Sequence, residues 1–259
     1  MTTFPWLGRS VIVALGLTVV QALAGPLLAP VGPAGPSLLP WVLASNLLLA
    51  LLLVRLAGRS PARGGRLFGF LLAVAFGIPA LYLVEAVFFD IGIPAAVFPW
   101  LYLQALVVAA GAAVLSVWAA GKLRGEGEAL RPVPLSPVRL GLTALAYVFF
   151  YFAAGLLAWP FLKCFYEGRA MPAVQQVALL QVFRGAAFGL LVWLIAKHEP
   201  EGRRPAALSA GLCLSIIGGV APLLIPGNPY LPDAVRQVHL VEVGISNFLF
   251  GLVAALLLR

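Results

Sequence analysis

The sequence predicts an all-α fold: a polytopic transmembrane helical bundle of about eight spans, with short loops and no soluble domain. Three observations predict it. Hydrophobic residues make up 62% of the 259 residues and charged residues only 10%, against about 25% charged in soluble domains. Mean hydropathy is +1.03. Apolar runs of bilayer-crossing length, about 20 residues each, recur from end to end. A β-barrel would show short alternating segments instead. The 27 glycines and 21 prolines have no collagen period, and membrane helices tolerate both residues.

The spans follow in order. Trp6 sits at interface depth before span 1, residues 7–28, which has no convincing cleavage site after it and is expected to be retained. Gly25, Pro26 and the Pro/Gly-rich stretch behind them form a tight turn. Span 2, residues 37–56, contains Asn46 and leads into Arg55, Arg59, Arg63 and Arg66. Span 3, residues 67–89, contains Pro79, which should bend it, and Glu85. An interfacial turn is expected next, with Asp90 at the surface and Trp100 in the aromatic belt. Span 4, residues 97–120, carries Gln104. The loop behind it is the most hydrophilic piece of the chain and the best candidate for mobility.

Span 5, residues 138–159, is rich in aromatics, among them Tyr147, Phe150 and Tyr151. A connector over 160–172 holds Lys163, Cys164, Tyr166, Glu167 and Arg169. Span 6, residues 172–195, contains Gln175, Gln176, Gln181 and Arg184. A short loop with His198 precedes span 7, residues 206–225. Span 8, residues 236–258, is the most structured. Placed at 100° per residue, Arg236, His239, Glu242, Ser246 and Asn247 fall on one arc. Val238, Val241, Ile245, Phe248 and Leu249 fall on the other side. Such a helix turns its polar side to protein or water and its apolar side to lipid.

Charge distribution orients the bundle. With the N-terminus inside, thirteen of the 17 basic residues lie in inner segments. Outside lie Lys163, Arg169 and Arg236, and Arg184 is near mid-depth. The expectation is a prokaryotic-type cytoplasmic (inner) membrane protein with both termini cytoplasmic. The net charge of +8 therefore reflects topology, and no nucleic-acid partner is expected. Two cysteines, Cys164 and Cys213, are too few for a disulfide framework or an iron–sulfur site. No nucleotide loop, Cys-x-x-Cys pair or haem-type histidine pair is present. No sequence match relates the two halves, which counts against a repeat-built transporter.

In this topology Arg236, His239, Glu242 and Glu85 lie in the outer half, with Asn46, Gln104, Tyr151, Gln181, Arg184 and Asn247 at outer to middle depth. Groups this costly to bury should meet each other or water. The expectation is one polar cavity open to the outer face; separate helix–helix hydrogen bonds are the alternative. Arg184 needs a carboxylate, and Glu242 and Glu85 are the intramembrane candidates. The ligand-binding candidates are Arg184, Gln181, Arg236, Asn247, Asn46, Gln104 and Tyr151. His239 with Glu242 and Glu85 are the catalytic candidates, as an acid–base set. The same three form a sparse ligand set with no second histidine, so no metal is assigned, and no cofactor is assigned either.

Three function classes remain open. The first is a protein that binds or translocates a small anionic or zwitterionic solute or a membrane lipid from the outer side. The second is an intramembrane enzyme acting on a lipid-linked or outer-leaflet substrate. The third is a non-catalytic subunit or assembly factor whose polar face is completed by a partner membrane subunit. Gly185 and Gly189, four apart, would let a neighbouring helix approach closely at the level of Arg184.

Overall fold

A computed structural model of the chain describes residues 4–28, 38–89, 92–167, 169 and 171–258. The chain is an all-α bundle of eight helices long and apolar enough to cross a membrane. They are α1 (Phe4–Leu28), α2 (Leu39–Arg59), α3 (Gly64–Phe89), α4 (Phe98–Ala119), α5 (Pro137–Tyr166), α6 (Val174–His198), α7 (Arg203–Leu224) and α8 (Asp233–Leu258). A 3₁₀ turn, Ala95–Val97, leads into α4, and α7 contains a π-helical stretch at Ile216–Val220. There is no strand among the described residues. Gly25 and Pro26, expected in a tight turn, instead belong to the last turns of α1; the rest of that expected turn, Asp90 and Arg259 lie outside the described residues. Proline opens α2, α4 and α5 within their first two positions, where its missing N–H has no intrahelical acceptor to lose.

One boundary differs in a way that matters. The helix expected to stop at Trp159 runs on through Pro160 to Tyr166. Leu162, with Ala158, packs against Val235 of α8, and Phe165 and Tyr166 lie beside them. This i, i+4 stripe continues the contact with α8 past the proline, and packing outweighs one lost hydrogen bond. At 30 residues α5 is about 45 Å long, which exceeds the roughly 30 Å hydrocarbon core. Its length therefore exceeds what a perpendicular crossing needs.

At the opposite end of α5 the loops are drawn together. Arg59 grips Glu199 through Nε (2.9 and 3.0 Å) and Nη2 (2.9 Å), and Ser209 Oγ donates to the same carboxylate at 3.0 Å. Lys122 Nζ donates to the carbonyls of Ala57 (2.9 Å), Gly58 (2.9 Å) and Ser60 (2.5 Å), where a cation also complements the C-terminal dipole of α2. Arg203 donates to the carbonyl of Leu256. The connections α2–α3, α4–α5 and α6–α7, which together with the helix turns flanking them carry most of the basic residues, thus gather at one end of the bundle, here termed the basic end.

Two expectations are corrected there. His198 is not a loop residue: it is buried on the last turn of α6. Its ring stacks on Phe70 at 3.8 Å, and Nδ1 lies 2.8 Å from Ser60 Oγ. The loop between α4 and α5, the candidate for mobility, is tied down. Glu128 N–H donates to the Pro61 carbonyl at 3.1 Å, and Trp193 Nε1 donates to the Val133 carbonyl at 2.8 Å.

In cross-section α8 packs on α5, α6 and α7, α3 packs on α4 and α6, and α1 packs on α2 and α4. Glycine permits the tightest crossings. A Cβ on Gly251 would lie 2.6 Å from Gly211 Cα, and one on Gly185 would lie 2.9 Å from Ala144 Cα. The close approach expected at Gly185 and Gly189 is therefore present, and α5 is the partner.

Candidate functional site

Four helices supply the site. Leu81, Tyr82 and Glu85 share one face of α3, and Gln181, Arg184 and Phe188 share one face of α6. On α8, His239, Glu242, Ser246 and Asn247 follow the arc read from the sequence. The outward stripe of that helix is Val241, Ile245 and Leu249, each more than 40% exposed. Tyr147, Phe150, Tyr151 and Ala154 of α5 close the fourth side.

Arg184 is fully buried. Its Nη1 pairs with Glu85 Oε2 at 2.7 Å and donates to Gln181 Oε1 at 2.7 Å. Its Nε donates to the Leu81 carbonyl at 3.1 Å. Gln181 Nε2 in turn donates to Glu85 Oε1 at 3.3 Å. The guanidinium carbon lies 5.1 Å from the ring centroid of Tyr82, 5.5 Å from Tyr147 and 5.6 Å from Phe188, which gives a desolvated cation three aromatic faces. The choice that the sequence left open, Glu85 or Glu242, falls to Glu85. One face of α6 meets one face of α3 here, whereas Glu242 is engaged elsewhere.

Glu242 Oε2 lies 2.7 Å from His239 Nδ1. The other ring nitrogen, Nε2, lies 3.2 Å from the Tyr166 hydroxyl. A chain Tyr166–His239–Glu242 thus leads from the projecting end of α5 inward along α8. His239 and Glu242 are 19% and 16% exposed, so both remain reachable.

Glu242 and Glu85 share a cavity of about 40 Å³ with Tyr82, Tyr151, Ser246 and Asn247. That volume holds a few water-sized groups. Asn247 Nδ2 donates to the Tyr82 hydroxyl across it. Tyr147, Phe188 and Phe250 form a ring cluster with centroids 4.9 to 6.5 Å apart, and this cluster closes the cavity toward the basic end.

A larger groove of about 690 Å³ runs along the outside of the bundle between α5 and α8. Its walls include Phe149, Leu157, Phe161, Val238, Val241 and Ile245. Phe150, Ala154, Glu242 and Ser246 belong to both groove and cavity. The groove is apolar and faces where lipid would lie; the cavity lies further in and adds polar groups, Glu85, Glu242, Ser246 and Asn247, to an otherwise apolar and aromatic lining. They meet at Glu242.

The other expected site residues are placed apart. Arg236 is nearly buried at the start of α8, where Nε donates to Asp233 Oδ1 at 2.8 Å and Nη1 donates to the carbonyls of Leu223 and Leu224. It caps the end of α7. Asn46 is buried between α1 and α2, with Nδ2 donating to Thr18 Oγ1 at 3.0 Å and Gln21 Oε1 at 2.9 Å. Gln104 on α4 does not line the cavity. No group of three metal-type ligands occurs among the described residues. Cys164 is exposed and Cys213 is buried.

Two contributors were not anticipated. Tyr82 is one turn before Glu85, a spacing that signals a shared face. Tyr166 stands beside His239 only because α5 continues past Pro160, and no local pattern signals that.

Comparison with known proteins returns no matching family model, no matching curated protein and no matching solved structure. The fold itself defines the class: this is a polytopic helical membrane protein.

Proposed function

We propose that the protein binds an amphipathic, membrane-derived molecule that enters sideways from the bilayer. Its apolar chain lies in the α5–α8 groove and its polar end reaches the cavity at Glu242. The observation that carries this reading is the shared wall: one carboxylate borders both an apolar groove of chain-holding size and a smaller inner cavity that holds a second carboxylate. Ligand sites pair a mostly apolar lining with a few placed polar groups in this manner.

The lining also narrows the ligand. Arg184 is committed to Glu85 and does not line the cavity. The cavity offers two carboxylates, with hydroxyl and amide groups beside them. Among anionic and zwitterionic candidates, this favours a zwitterion whose positive or hydrogen-donating group meets Glu242. The basic end lies in the cytoplasm on this reading, in a prokaryotic-type inner membrane, and the groove opens to the outer leaflet. The aromatic cluster beneath the cavity fits binding within one leaflet better than passage through the bundle.

A second reading rests on a specific distance. His239 lies 2.7 Å from Glu242 at the mouth of the groove, the geometry of a histidine base oriented by a carboxylate. On that reading the groove holds a lipid-linked substrate.

Photo-crosslinking tests the site. Diazirine-bearing phosphatidylethanolamine in native-like vesicles is expected to label residues of α5 and α8 that line the groove. Label spread evenly over the lipid-facing surface would refute a specific site. Release of a hydrolysed or transferred product from that lipid, abolished by His239→Gln, would select the enzyme reading.

A further inference from the structure

We infer that the basic end carries a second, separate binding site, one for a phosphate-bearing anion. Arg66 on the first turn of α3, Lys197 on the last turn of α6 and Arg131 of the α4–α5 loop line a single open pocket of about 720 Å³. Its remaining walls are Ala129, Leu130, Pro132, Val133 and Pro134. No carboxylate lines it.

Three cations from three separate elements converge without a counter-charge. None of the three forms an ion pair among the described residues. At the same end Arg59 takes both Glu199 and Glu201, and neither carboxylate lines the pocket. Like charges held on one pocket repel, and an anion of charge −1 to −2 relieves that repulsion.

The pocket is also built. Its loop wall is fastened by the bond from Trp193 Nε1 to the Val133 carbonyl, at 2.8 Å. Lys197 Nζ lies 4.6 Å above the ring of the same tryptophan. One side chain thus holds both the wall and one of the cations in place. Arg supplies bidentate donors suited to phosphate oxygens, and Lys adds a mobile point charge. The site stands at the ends of two membrane-spanning helices, at the depth of lipid headgroups, where basic pockets between helices take anionic heads. The shared chemistry is a phosphate mono- or diester carrying net negative charge, whether on a lipid or free.

The test uses the full chain in detergent micelles and reads protection against heat. Dioleoylphosphatidylglycerol, dioleoylphosphatidylcholine and inorganic phosphate are each titrated. The R66Q/R131Q/K197Q variant is compared with R9Q/R124Q/R204Q, which removes three exposed charges elsewhere. R131Q alone, a loop change that leaves both helices intact, covers the case in which the triple variant does not fold. The expected result is half-protection by phosphatidylglycerol at a concentration raised about a hundredfold in the pocket triple and about fivefold in R131Q, with the control triple unchanged. Protection by inorganic phosphate that is lost in the same variants assigns the site to a free anion instead of a headgroup. Equal weakening in both triples, an unchanged R131Q, or equal protection by phosphatidylcholine overturns the proposal.

Discussion

Arg184 Nη1 and Glu85 Oε2 lie 2.7 Å apart in the middle of the bundle, the arginine fully buried and the carboxylate 19% exposed. This pair joins α6 to α3, and of its two members Glu85 lines the neighbouring cavity while Arg184 does not. Breaking such a pair from one side costs about 3–5 kcal/mol, since the remaining charge is left buried. Arg184→Gln and Glu85→Gln are each expected to destabilise the protein severely in thermal unfolding. The double variant should lose less than the sum of the singles. Strict additivity would mean that the two side chains do not interact.

Glu242 stands where groove and cavity meet. Glu242→Gln keeps the shape and removes the charge. It is expected to weaken crosslinking by phosphatidylethanolamine about tenfold, on the scale of one charge-assisted hydrogen bond, and to leave crosslinking by uncharged diacylglycerol unaltered. Equal loss for both lipids would show that Glu242 acts only through packing.

Ala154 borders both spaces as well. Ala154→Phe fills the junction and should abolish lipid labelling on α8 beyond Ile245 while labelling near Phe161 persists. Unchanged labelling across the groove would place the lipid chain elsewhere.

The crossing of α7 and α8 depends on two glycines. A Cβ on Gly251 meets Gly211 Cα at 2.6 Å, whereas one on Gly69 meets nothing within 4 Å. Gly251→Ala should cost about 1–3 kcal/mol, the range for overpacking. Gly69→Ala should be neutral or stabilising by roughly 0.5–1 kcal/mol, because alanine restricts the unfolded chain more. Similar unfolding temperatures for the two variants would contradict this crossing.

At the basic end two glutamates contact Arg59 but differ in burial, Glu199 at 2% and Glu201 at 59%. Glu199→Gln should cost more, about 1–3 kcal/mol, because the buried carboxylate accepts from both Arg59 and Ser209 while Arg59 keeps Glu201 as a partner. Glu201→Gln should fall within about 0–1 kcal/mol, as exposed pairs do. A larger loss at Glu201, measured by thermal unfolding, would reverse this assignment.

Much of this molecule is legible from one-dimensional pattern. Eight spans, the polar arc of α8 and the clustering of basic loops at one end all follow from residue type and helical period. Such properties are local: a 20-residue apolar run must be helical in hydrocarbon, because every backbone group needs an internal partner. His239 and Glu242, three apart on one helix, were legible for the same reason. Asn46, Gln104 and Arg236 were grouped with them because they share a depth. Depth is one coordinate only, and the helices carrying Asn46 and Gln104 stand on another side of the bundle.

By itself the sequence determined the class, the number of helices and which residues are too polar to face lipid. Tertiary structure alone decided which of those residues meet. It paired Arg184 with Glu85, brought Tyr166 to His239 by carrying α5 past Pro160, and set Glu242 between groove and cavity. The physical reason is that helix formation is governed by neighbours three and four residues away, whereas azimuth and neighbour choice within a bundle are set by packing among all eight helices.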